Sequence, residues 1–468
     1  MTGYKNHSEK LELIRSGSLS LRSNIEYFLS KAGENKDLNA FNFLFEDSYS
    51  EAEKIEERIR SNKAGRLAGM VIAIKDVLAI KDKPLTCSSN ILKNFESVYT
   101  STAVERLIRE DAIIIGKTNC DEFAMGSSNE NSAFGKVLNP IDKSRVPGGS
   151  SGGSAVAVAA GLCDAALGTD TGGSIRQPAA FCGIFGLKPT YGRVSRYGLT
   201  AYGSSFDTIG PLANSPEDLA LILEVISGHD PNDSTSVNIP VPEFLSEIYS
   251  EKKFKIGLPK EYFAEGLDPE INEAIQNQIA KLKSSGHDVQ EVSLPHTEYS
   301  IPTYYILTTA EASSNLARYD GAHYGYRDKN SSTLKEMYAS SRSKGFGGEV
   351  KRRIMLGTYV LSAGYYDAYY RKAQKVRRLL KQDFDNAFNE VNLLLTPTTP
   401  TPPFKIGEKS TDPLKMYLMD IYTTSANLAG IPGINIPIGK NREGLPIGMQ
   451  VMAKGFDELS LLQFSSKY

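Results

Sequence analysis

The chain has 468 residues, of which 40% are hydrophobic and 23% are charged, and its formal net charge is −2. These values are typical of a globular chain, and because no apolar run approaches a length of about 18 residues, the sequence predicts no membrane-spanning helix. The small negative charge argues against a chain that binds nucleic acid unaided, since neutralising phosphates normally requires a basic face.

The cysteines and the first residues indicate a reducing compartment. The first ten residues, MTGYKNHSEK, are polar and lack the apolar segment of a secretory signal. The four cysteines show neither CxxC nor metal-ligand spacing, so we expect reduced thiols, no metal site and a cytoplasmic location. They are Cys87, Cys120, Cys163 and Cys182.

The N-terminal part of the chain predicts a helical segment. Residues 8–60 include EKLELIRSGS and SEAEKIEERIRS, which are typical of helices with polar faces. No low-complexity linker divides the rest of the chain. We therefore expect an N-terminal helical segment at residues 1–60 and one domain at residues 61–468.

Helix and strand patterns alternate after residue 60. Such alternation is typical of an α/β fold, a sheet covered by helices on both faces. The predicted strands are Val71–Lys75, Ile113–Ile115, Phe254–Leu258, Val289–Val292 and Val391–Leu395, the last running into the proline-rich loop TPTTPTPPF. The predicted helix starts are a capping box at Thr102–Glu105, Ser215–Pro216 and Asp268–Pro269, the last helix ending near Gly286.

The most informative segment is the glycine-rich and serine-rich stretch from Gly148 to Ser174. It lacks the GxxxxGK[ST] and GxGxxG spacings, which excludes a phosphate cradle. Ser154–Leu162 is rich in alanine and predicts a helix that packs closely against a sheet. Gly172-Gly173-Ser174 places a serine directly after two unhindered amides, an arrangement from which an oxyanion hole can be built.

A serine nucleophile requires a base, and none of the five histidines lies near this stretch in the sequence. Lys75 ends an apolar run that predicts a buried strand. Burial would remove water from the ammonium and lower the lysine pKa, so that a neutral amine could accept a proton. The alternative is a lysine that reaches out of the strand end to water.

A basic cluster predicts a helix with one charged face. Its core-facing stripe repeats every three to four residues. We expect the charged face to be solvated, and contact with a nucleic acid such as an RNA is the alternative. The basic residues are Arg371, Lys372, Lys375, Arg377, Arg378 and Lys381, and the stripe comprises Tyr369, Ala373, Val376, Leu380 and Phe384.

Three matches in order resemble the amidase signature enzymes: Lys75, Gly148–Gly153 and Gly168–Arg176. The resemblance implies an α/β fold in which a single amidase-signature domain, residues 61–468, is built on one large mixed β-sheet covered by helices on both faces.

The same resemblance implies a Ser-cisSer-Lys triad that cleaves amides. Ser174 is the expected nucleophile, Ser150 the relay in a non-proline cis peptide, and Lys75 the base. The implied oxyanion hole consists of the backbone N–H groups of Thr171, Gly172, Gly173 and Ser174. Asp170 and Arg176 flank this turn, and the resemblance favours a structural pair.

Further matches resemble the tRNA-dependent amidotransferase branch of that family. They are Asp121–Ser127, Tyr304–Tyr305, Val350–Arg353 and the sequence NLAGIPGINIP. The resemblance implies free glutamine as the amide donor, whose carboxylate and ammonium call for an arginine fork and a carboxylate. The implied substrate-binding residues are Met125, Gly126, Ser127, Tyr304, Arg353 and Asp420. Tyr305 and Arg352 remain alternatives to their neighbours.

In that branch of the family, the chain would act within a heterotrimer, with B and C subunits as its partners. It would supply ammonia for converting Glu-tRNA(Gln) to Gln-tRNA(Gln), while the larger B partner activates glutamate with ATP and Mg2+ and the small C partner holds the two together. No ATP site is visible in this sequence, so the nucleotide and Mg2+ are assigned to the partner and tRNA is contacted indirectly. The alternative is a free-standing amidase that hydrolyses another small amide.

Overall fold

One mixed β-sheet organises the residues that the structure describes. The structure is a computed structural model, and it describes residues 3–263, 266–409 and 413–468. The strands of the sheet are β1 (Phe41–Leu44), β2 (Val71–Lys75), β3 (Ile113–Thr118), β4 (Ala165–Asp170), β5 (Phe185–Lys188), β6 (Thr208–Ala213), β7 (Lys255–Pro259), β8 (Asp288–Val292), β9 (Leu393–Pro397), β10 (Gly433–Lys440) and β11 (Pro446–Ala453).

Sixteen α-helices accompany the sheet within those described ranges, and none of them is long and apolar enough to cross a membrane. A short π-helical turn at Asp367–Arg371 leads into the thirteenth. They are α1 (His7–Arg15), α2 (Leu21–Glu34), α3 (Ser48–Arg60), α4 (Thr102–Arg109), α5 (Gly152–Ala159), α6 (Arg176–Cys182), α7 (Pro216–Ile226), α8 (Phe244–Glu247), α9 (Pro269–Ser284), α10 (Ser300–Asn315), α11 (Leu334–Gly345), α12 (Gly348–Leu361), α13 (Lys372–Ala387), α14 (Pro413–Tyr417), α15 (Thr424–Ala429) and α16 (Glu458–Ser465).

The strand order explains why the sheet is mixed. It runs β1-β3-β2-β4-β6-β5-β10-β11-β9-β7-β8. Strand β2 is parallel to β3 and β4, and β7 is parallel to β8 and β9, whereas all other neighbours are antiparallel. The expected α/β fold with a large mixed sheet is confirmed.

Alternate side chains of β2 point into two different hydrophobic cores. Ile72 and Ile74 pack with residues of α4, α7 and α16, whereas Val71 and Ala73 pack with residues of α2 and α5. Because side chains alternate along a strand, these two cores lie on opposite faces of the sheet. Helices therefore cover both faces, and burial on both sides explains why the four residues of β2 before Lys75 are apolar.

The N-terminal segment contributes a strand as well as helices. Helices α1, α2 and α3 agree with the predicted helical segment, but β1 was not predicted. Strand β1 pairs antiparallel with β3, where the backbone oxygen of Phe43 occupies the position that a side chain on Gly116 would need. The first 60 residues thus extend the edge of the sheet, and the boundary at residue 60 stays a prediction.

The other predicted elements are present, with one local error. All five predicted strands are observed, and α7 and α9 begin behind the caps Ser215 and Asp268. The capping box at Thr102 is wrong, because the N-cap of α4 is Ser101. The hydroxyl of Thr102 instead donates to Asp230 at 2.5 Å, a distant partner that the local pattern does not reveal.

Helix α13 has the solvated basic face that the sequence predicts, but one basic residue and one residue of the predicted core stripe lie differently. Arg377 is half-buried and donates to the carbonyls of Leu428 and Ser205, and its guanidinium lies 4.2 Å from the centre of the Phe206 ring. Tyr369 is exposed and does not belong to the core stripe, because the π-helical turn before α13 shifts the helical periodicity there. The other five basic residues of the cluster are exposed.

Candidate active site

Lys75 is the last residue of β2, and its amine is fully buried. The Nζ atom donates to the hydroxyls of Ser150 at 2.8 Å, Ser151 at 2.9 Å and Thr169 at 2.8 Å. Burial lowers the pKa of Lys75 to about 8, although nearby acidic groups oppose the shift. The amine can therefore exchange a proton near neutral pH, and the lysine does not reach out to bulk water.

The first glycine turn presents Ser150 to this amine. The Gly149–Ser150 peptide is cis, and Gly148 has a φ of +82°, a conformation that favours glycine. The N–H of Gly149 donates to Gln177 Oε1 at 2.9 Å, and the carboxylate of Asp121 occupies the space that a Gly149 side chain would need. Helix α5 begins at Gly152 and ends at Ala159, slightly before the predicted end at residue 162.

The second turn, residues 170–176, wraps around the carboxylate of Asp170. This carboxylate accepts hydrogen bonds from the N–H of Gly173 at 2.8 Å and of Ile175 at 3.2 Å. It also accepts from Nε and Nη2 of Arg176, both at 3.0 Å. Burial alone would raise the pKa of Asp170, but the Arg176 guanidinium lowers it to about 2, so the pair stays ionised and holds the turn.

The two turns are in direct contact. The N–H of Ser151 donates to the carbonyl of Ser174 at 3.2 Å, so the relay and the expected nucleophile lie on adjacent backbones. Ser174 is buried but retains 8% exposure. Among the described residues, the N–H groups of Thr171, Gly172 and Ser174 donate to no protein acceptor, whereas that of Gly173 is bound to Asp170. Three of the four predicted oxyanion donors are thus free for a ligand.

A group of buried aromatic and charged residues surrounds Arg353 of α12. Its Nη1 donates to the hydroxyl of Tyr202 at 2.7 Å and its Nε donates to Glu349 at 2.8 Å. The guanidinium lies 5.2 Å from the ring centre of Tyr305. The side chain of Arg352 is 52% exposed and pairs with Glu349 from the outside, so Arg353 is the arginine that points inward.

Asp420 and Tyr304 complete the buried set. Asp420 accepts a hydrogen bond from Ser127 Oγ at 2.6 Å, and burial raises its pKa to about 7. The ring of Tyr304 packs on Gly172, where an added Cβ would lie 2.6 Å from Tyr304 Cζ. The ring of Tyr305 instead stacks on that of Tyr417, with 3.8 Å between the ring centres. Tyr304 is therefore the tyrosine that contacts the second turn, residues 170–176, which carries the expected nucleophile Ser174 and is called the nucleophile turn below.

The loop Met125–Ser127 lies between the two sets of residues. Met125 is buried, and the Asp121 carboxyl occupies the space that a Gly126 side chain would need. The carbonyl of Ser127 accepts from Gln177 Nε2 at 2.9 Å, and the same glutamine supports the turn of Ser150. A cavity of about 220 Å³ is lined by Gly126, Arg352 and Arg353, among other residues.

Several buried residues at the site were not predicted from the sequence. Thr169 and Gln177 lie inside or next to the matched glycine turn, so the motif itself could have indicated them. Tyr202 and Glu349 carry no local signal, because each is placed at the site by its hydrogen bond with Arg353. Tyr202 is distant from Arg353 in the chain, whereas Glu349 lies one turn earlier on the same helix.

The described part of the chain contains no group of three or more histidine, cysteine, aspartate or glutamate residues that could hold a metal ion. The four cysteines are buried and unpaired.

The amidase family model matches residues 23–462. The chain belongs to the amidase family. It is 58% identical over 433 residues to the A subunit of glutamyl-tRNA(Gln) amidotransferase from Koribacter versatilis, covering 92% of this chain and 90% of the relative. These similarities confirm both the expected family and the resemblance to its amidotransferase branch.

Solved structures of this enzyme family share the fold. The crystal structure of the glutamyl-tRNA(Gln) amidotransferase A subunit from Thermotoga maritima is 41% identical, with a TM-score of 0.79 over 94% of this chain and 89% of that one. Peptide amidase from Stenotrophomonas maltophilia is 28% identical, with a TM-score of 0.81 over 99% of this chain and 96% of that one. Because amidases with different substrates share this fold, the substrate has to be argued from the pocket.

Proposed function

We propose that the chain is the glutaminase subunit of a glutamyl-tRNA(Gln) amidotransferase. It hydrolyses glutamine through an acyl-enzyme on Ser174 and supplies ammonia for converting Glu-tRNA(Gln) to Gln-tRNA(Gln) on a partner protein. The observation that carries the proposal is the buried Lys75 amine, hydrogen-bonded to Ser150 at 2.8 Å, beside a nucleophile turn that packs on the Tyr304 ring.

In the acylation step, neutral Lys75 takes a proton from Ser150 while Ser150 takes the proton of Ser174. The Ser174 oxygen attacks the side-chain amide carbon of glutamine and forms a tetrahedral oxyanion. When the C–N bond breaks, the nitrogen leaves as ammonia with the proton returned through Ser150. A lysine with a pKa of about 8 suits this exchange, because both of its protonation states are accessible near neutral pH.

The oxyanion would lie against the free N–H groups of Thr171, Gly172 and Ser174. Such donors are fixed before the reaction begins, and losing one typically costs about 3 to 4 kcal/mol of transition-state stabilisation. Water then attacks the ester carbonyl, activated by the same lysine and serine, and releases glutamate. The N–H of Gly173 serves the turn itself through Asp170.

The pocket charges support glutamine as the substrate. Arg353 and Asp420 are both buried and offer a guanidinium and a carboxylate, which complement the α-carboxylate and the ammonium of a free amino acid. We assign Tyr304 to the pocket because its ring packs on Gly172. The loop Met125–Ser127 is assigned to it because Ser127 binds Asp420 and Gly126 lines the cavity beside Arg353. An amide without these charged groups would leave Arg353 Nη2 without an acceptor and the Asp420 carboxylate without a cation, which costs binding free energy.

The similar proteins are A subunits by name, which indicates that this chain works with partner proteins. We propose two partners, the B and C subunits of the amidotransferase. The larger B partner activates glutamate on tRNA with ATP and Mg2+, and the small C partner holds the other two chains together. Contact with tRNA is then indirect, in agreement with the net charge of −2.

A complex that converts aminoacyl-tRNA works where tRNA is aminoacylated, so we place it in the cytoplasm. The four unpaired cysteines would remain reduced there.

Ammonia release from glutamine tests this function. The full chain is assayed alone and with the proteins that co-purify with it from its host, using Ser174→Ala as the inactive control. Arg353→Lys should raise the KM for glutamine at least about tenfold, because a single ammonium cannot hold Glu349 and Tyr202 and also present a fixed N–H edge to the substrate carboxylate. The matched variant Arg352→Lys should stay within about twofold of the parent, because the Arg352 side chain is 52% exposed and its ion pair with Glu349 is screened by solvent. Activity confined to amides without an α-carboxylate would contradict the proposal and favour a free-standing amidase.

A further inference from the structure

A short segment between β5 and β6 connects the substrate pocket to the nucleophile turn. Its two ends, Tyr202 and Asp207, are buried and belong to neither the triad nor the predicted pocket. The backbone N–H groups of Tyr202 and Gly203 donate to Asp207 Oδ2 at 2.9 Å and 3.1 Å. The segment, residues 202–207, therefore closes on itself as a fixed turn.

One end of this segment holds the guanidinium of Arg353. The hydroxyl of Tyr202 accepts from Arg353 Nη1 at 2.7 Å and donates to Thr308 Oγ1 at 3.1 Å. Thr308 in turn donates to the carbonyl of Tyr304 at 2.8 Å. The Nε atom of Arg353 donates to Glu349 and Nη1 donates to Tyr202. Among the described residues, Nη2 is therefore the one guanidinium nitrogen without an acceptor.

The other end of the segment holds the nucleophile turn. Asp207 Oδ1 accepts from the hydroxyl of Thr171 at 2.7 Å, and Thr171 is the first residue of the predicted oxyanion hole. Gly203 fits between two threonines, since an added Cβ would lie 3.3 Å from the methyl groups of both Thr171 and Thr308. The same six residues thus contact the arginine of the pocket and the turn that carries Ser174.

We propose that Tyr202 is a positioning residue that sets glutamine specificity. Its hydroxyl fixes Arg353 so that the free Nη2 edge faces the α-carboxylate of the substrate, and the segment holds this edge at a set distance from the oxyanion turn through Asp207 and Thr171. The inference rests on the proposed function, in which the substrate is free glutamine. Because Tyr202 acts on the binding of the carboxylate, its loss should change KM more than kcat.

The variant Tyr202→Phe tests this role, because it keeps the ring and removes only the hydroxyl. We expect the KM for glutamine to rise about tenfold, as is typical for loss of a hydrogen bond to a charged group, while kcat stays within about threefold. The rate at which a fluorophosphonate labels Ser174 should not change, because that probe has no α-carboxylate. Both measurements use the full chain with its co-purifying partners.

The control is Tyr191→Phe. The hydroxyl of Tyr191 donates to the carbonyl of Ser204 at 2.8 Å, so it anchors the same segment without touching Arg353. This control should leave KM within about twofold of the parent. Equal effects of the two variants, or an unchanged KM in Tyr202→Phe while the parent hydrolyses glutamine, would overturn the inference alone. A parent enzyme that is labelled at Ser174 but never hydrolyses glutamine would overturn the proposed function and this inference with it.

Discussion

Two adjacent serines contact the Lys75 amine, and their other hydrogen bonds distinguish them. Ser151 Oγ donates to the carbonyl of Thr169 at 3.1 Å, so its proton is already bound by the backbone. In the described part of the chain, Ser150 Oγ has Lys75 as its hydrogen-bond partner. A relay has to pass a proton between the nucleophile and the base, and only Ser150 has a proton free for that exchange.

This difference predicts unequal effects of two matched substitutions. Ser150→Ala should lower kcat for glutamine hydrolysis about a thousandfold, within the range for loss of general acid–base catalysis. Ser151→Ala should lower it less than about tenfold, because only a supporting contact to the lysine is lost. Ammonia release and the rate of fluorophosphonate labelling measure both effects. Equal losses in the two variants would remove Ser150 as the specific relay.

The pH dependence follows from two buried groups. Lys75, with a pKa of about 8, has to be neutral to act as a base, so kcat should rise as the pH increases through that value. Asp420, with a pKa of about 7, has to be ionised to bind the substrate ammonium, so KM should rise as the pH falls below that value. Steady-state kinetics between about pH 6 and pH 9 check both limbs. In Asp420→Asn the KM limb should vanish and the kcat limb should remain; a kcat that is flat through pH 8 would contradict the role of Lys75.

At the scale of single elements, the sheet was easier to predict than its caps and turns. Apolar runs predict buried strands such as β2, because both faces of the strand are covered. Strand β1 was missed because its sequence, FNFL, is short and only partly buried at the sheet edge. The prediction of a capping box at Thr102 was wrong because a side-chain hydroxyl can bind several acceptors. Here the Thr102 hydroxyl donates to the distant carboxylate of Asp230.

The nucleophile turn is where glycine is required by its surroundings. Gly172→Ala should push the Tyr304 ring away and lower kcat/KM for glutamine about a hundredfold, because a 2.6 Å contact cannot be accommodated without moving the pocket. The matched variant is Gly348→Ala. Gly348 is the first residue of α12, and no atom lies within 4 Å of an added Cβ there. This variant should keep full activity and gain about 0.4–1 kcal/mol of stability. Kinetics and thermal unfolding are measured for both variants. Equal kcat/KM values in the two variants would show that Gly172 is not required by its contact with Tyr304.

At the scale of the whole molecule, the fold has to bring residues 75–174 and 304–420 together. The first half supplies the triad through β2 and the turns that flank α5 and β4. The second half supplies Tyr304, Arg353 and Asp420 from α10, α12 and the segment after α14. Two contacts connect the halves: Arg176 donates to the Thr423 carbonyl at 3.1 Å, and Ser127 Oγ donates to Asp420 at 2.6 Å. Neither connection follows from spacing in the sequence.

The N-terminal segment offers a test at this scale. Leu21, Ile25 and Phe28 of α2 pack into the core beneath β2, and β1 covers one edge of β3. Deleting residues 1–60 should expose this apolar core, and we expect the truncated chain to lose cooperative thermal unfolding and to aggregate. Circular dichroism and gel filtration check the outcome. A truncated chain that unfolds cooperatively at the parent temperature would show that residues 61–468 form an independent domain.

The sequence alone determined the family, the α/β class and the motifs that carry the chemistry, because these depend on local patterns. A buried apolar strand, glycine-lined turns and the order of Lys75, Ser150 and Ser174 can each be recognised within a few residues. The tertiary structure alone decided between Arg352 and Arg353 for the inward position, and between Tyr304 and Tyr305 for contact with the nucleophile turn. It also revealed Tyr202 and Asp207. Neighbouring residues of a helix have the same sequence context but point in different directions, so only the packing around them decides which one faces the site.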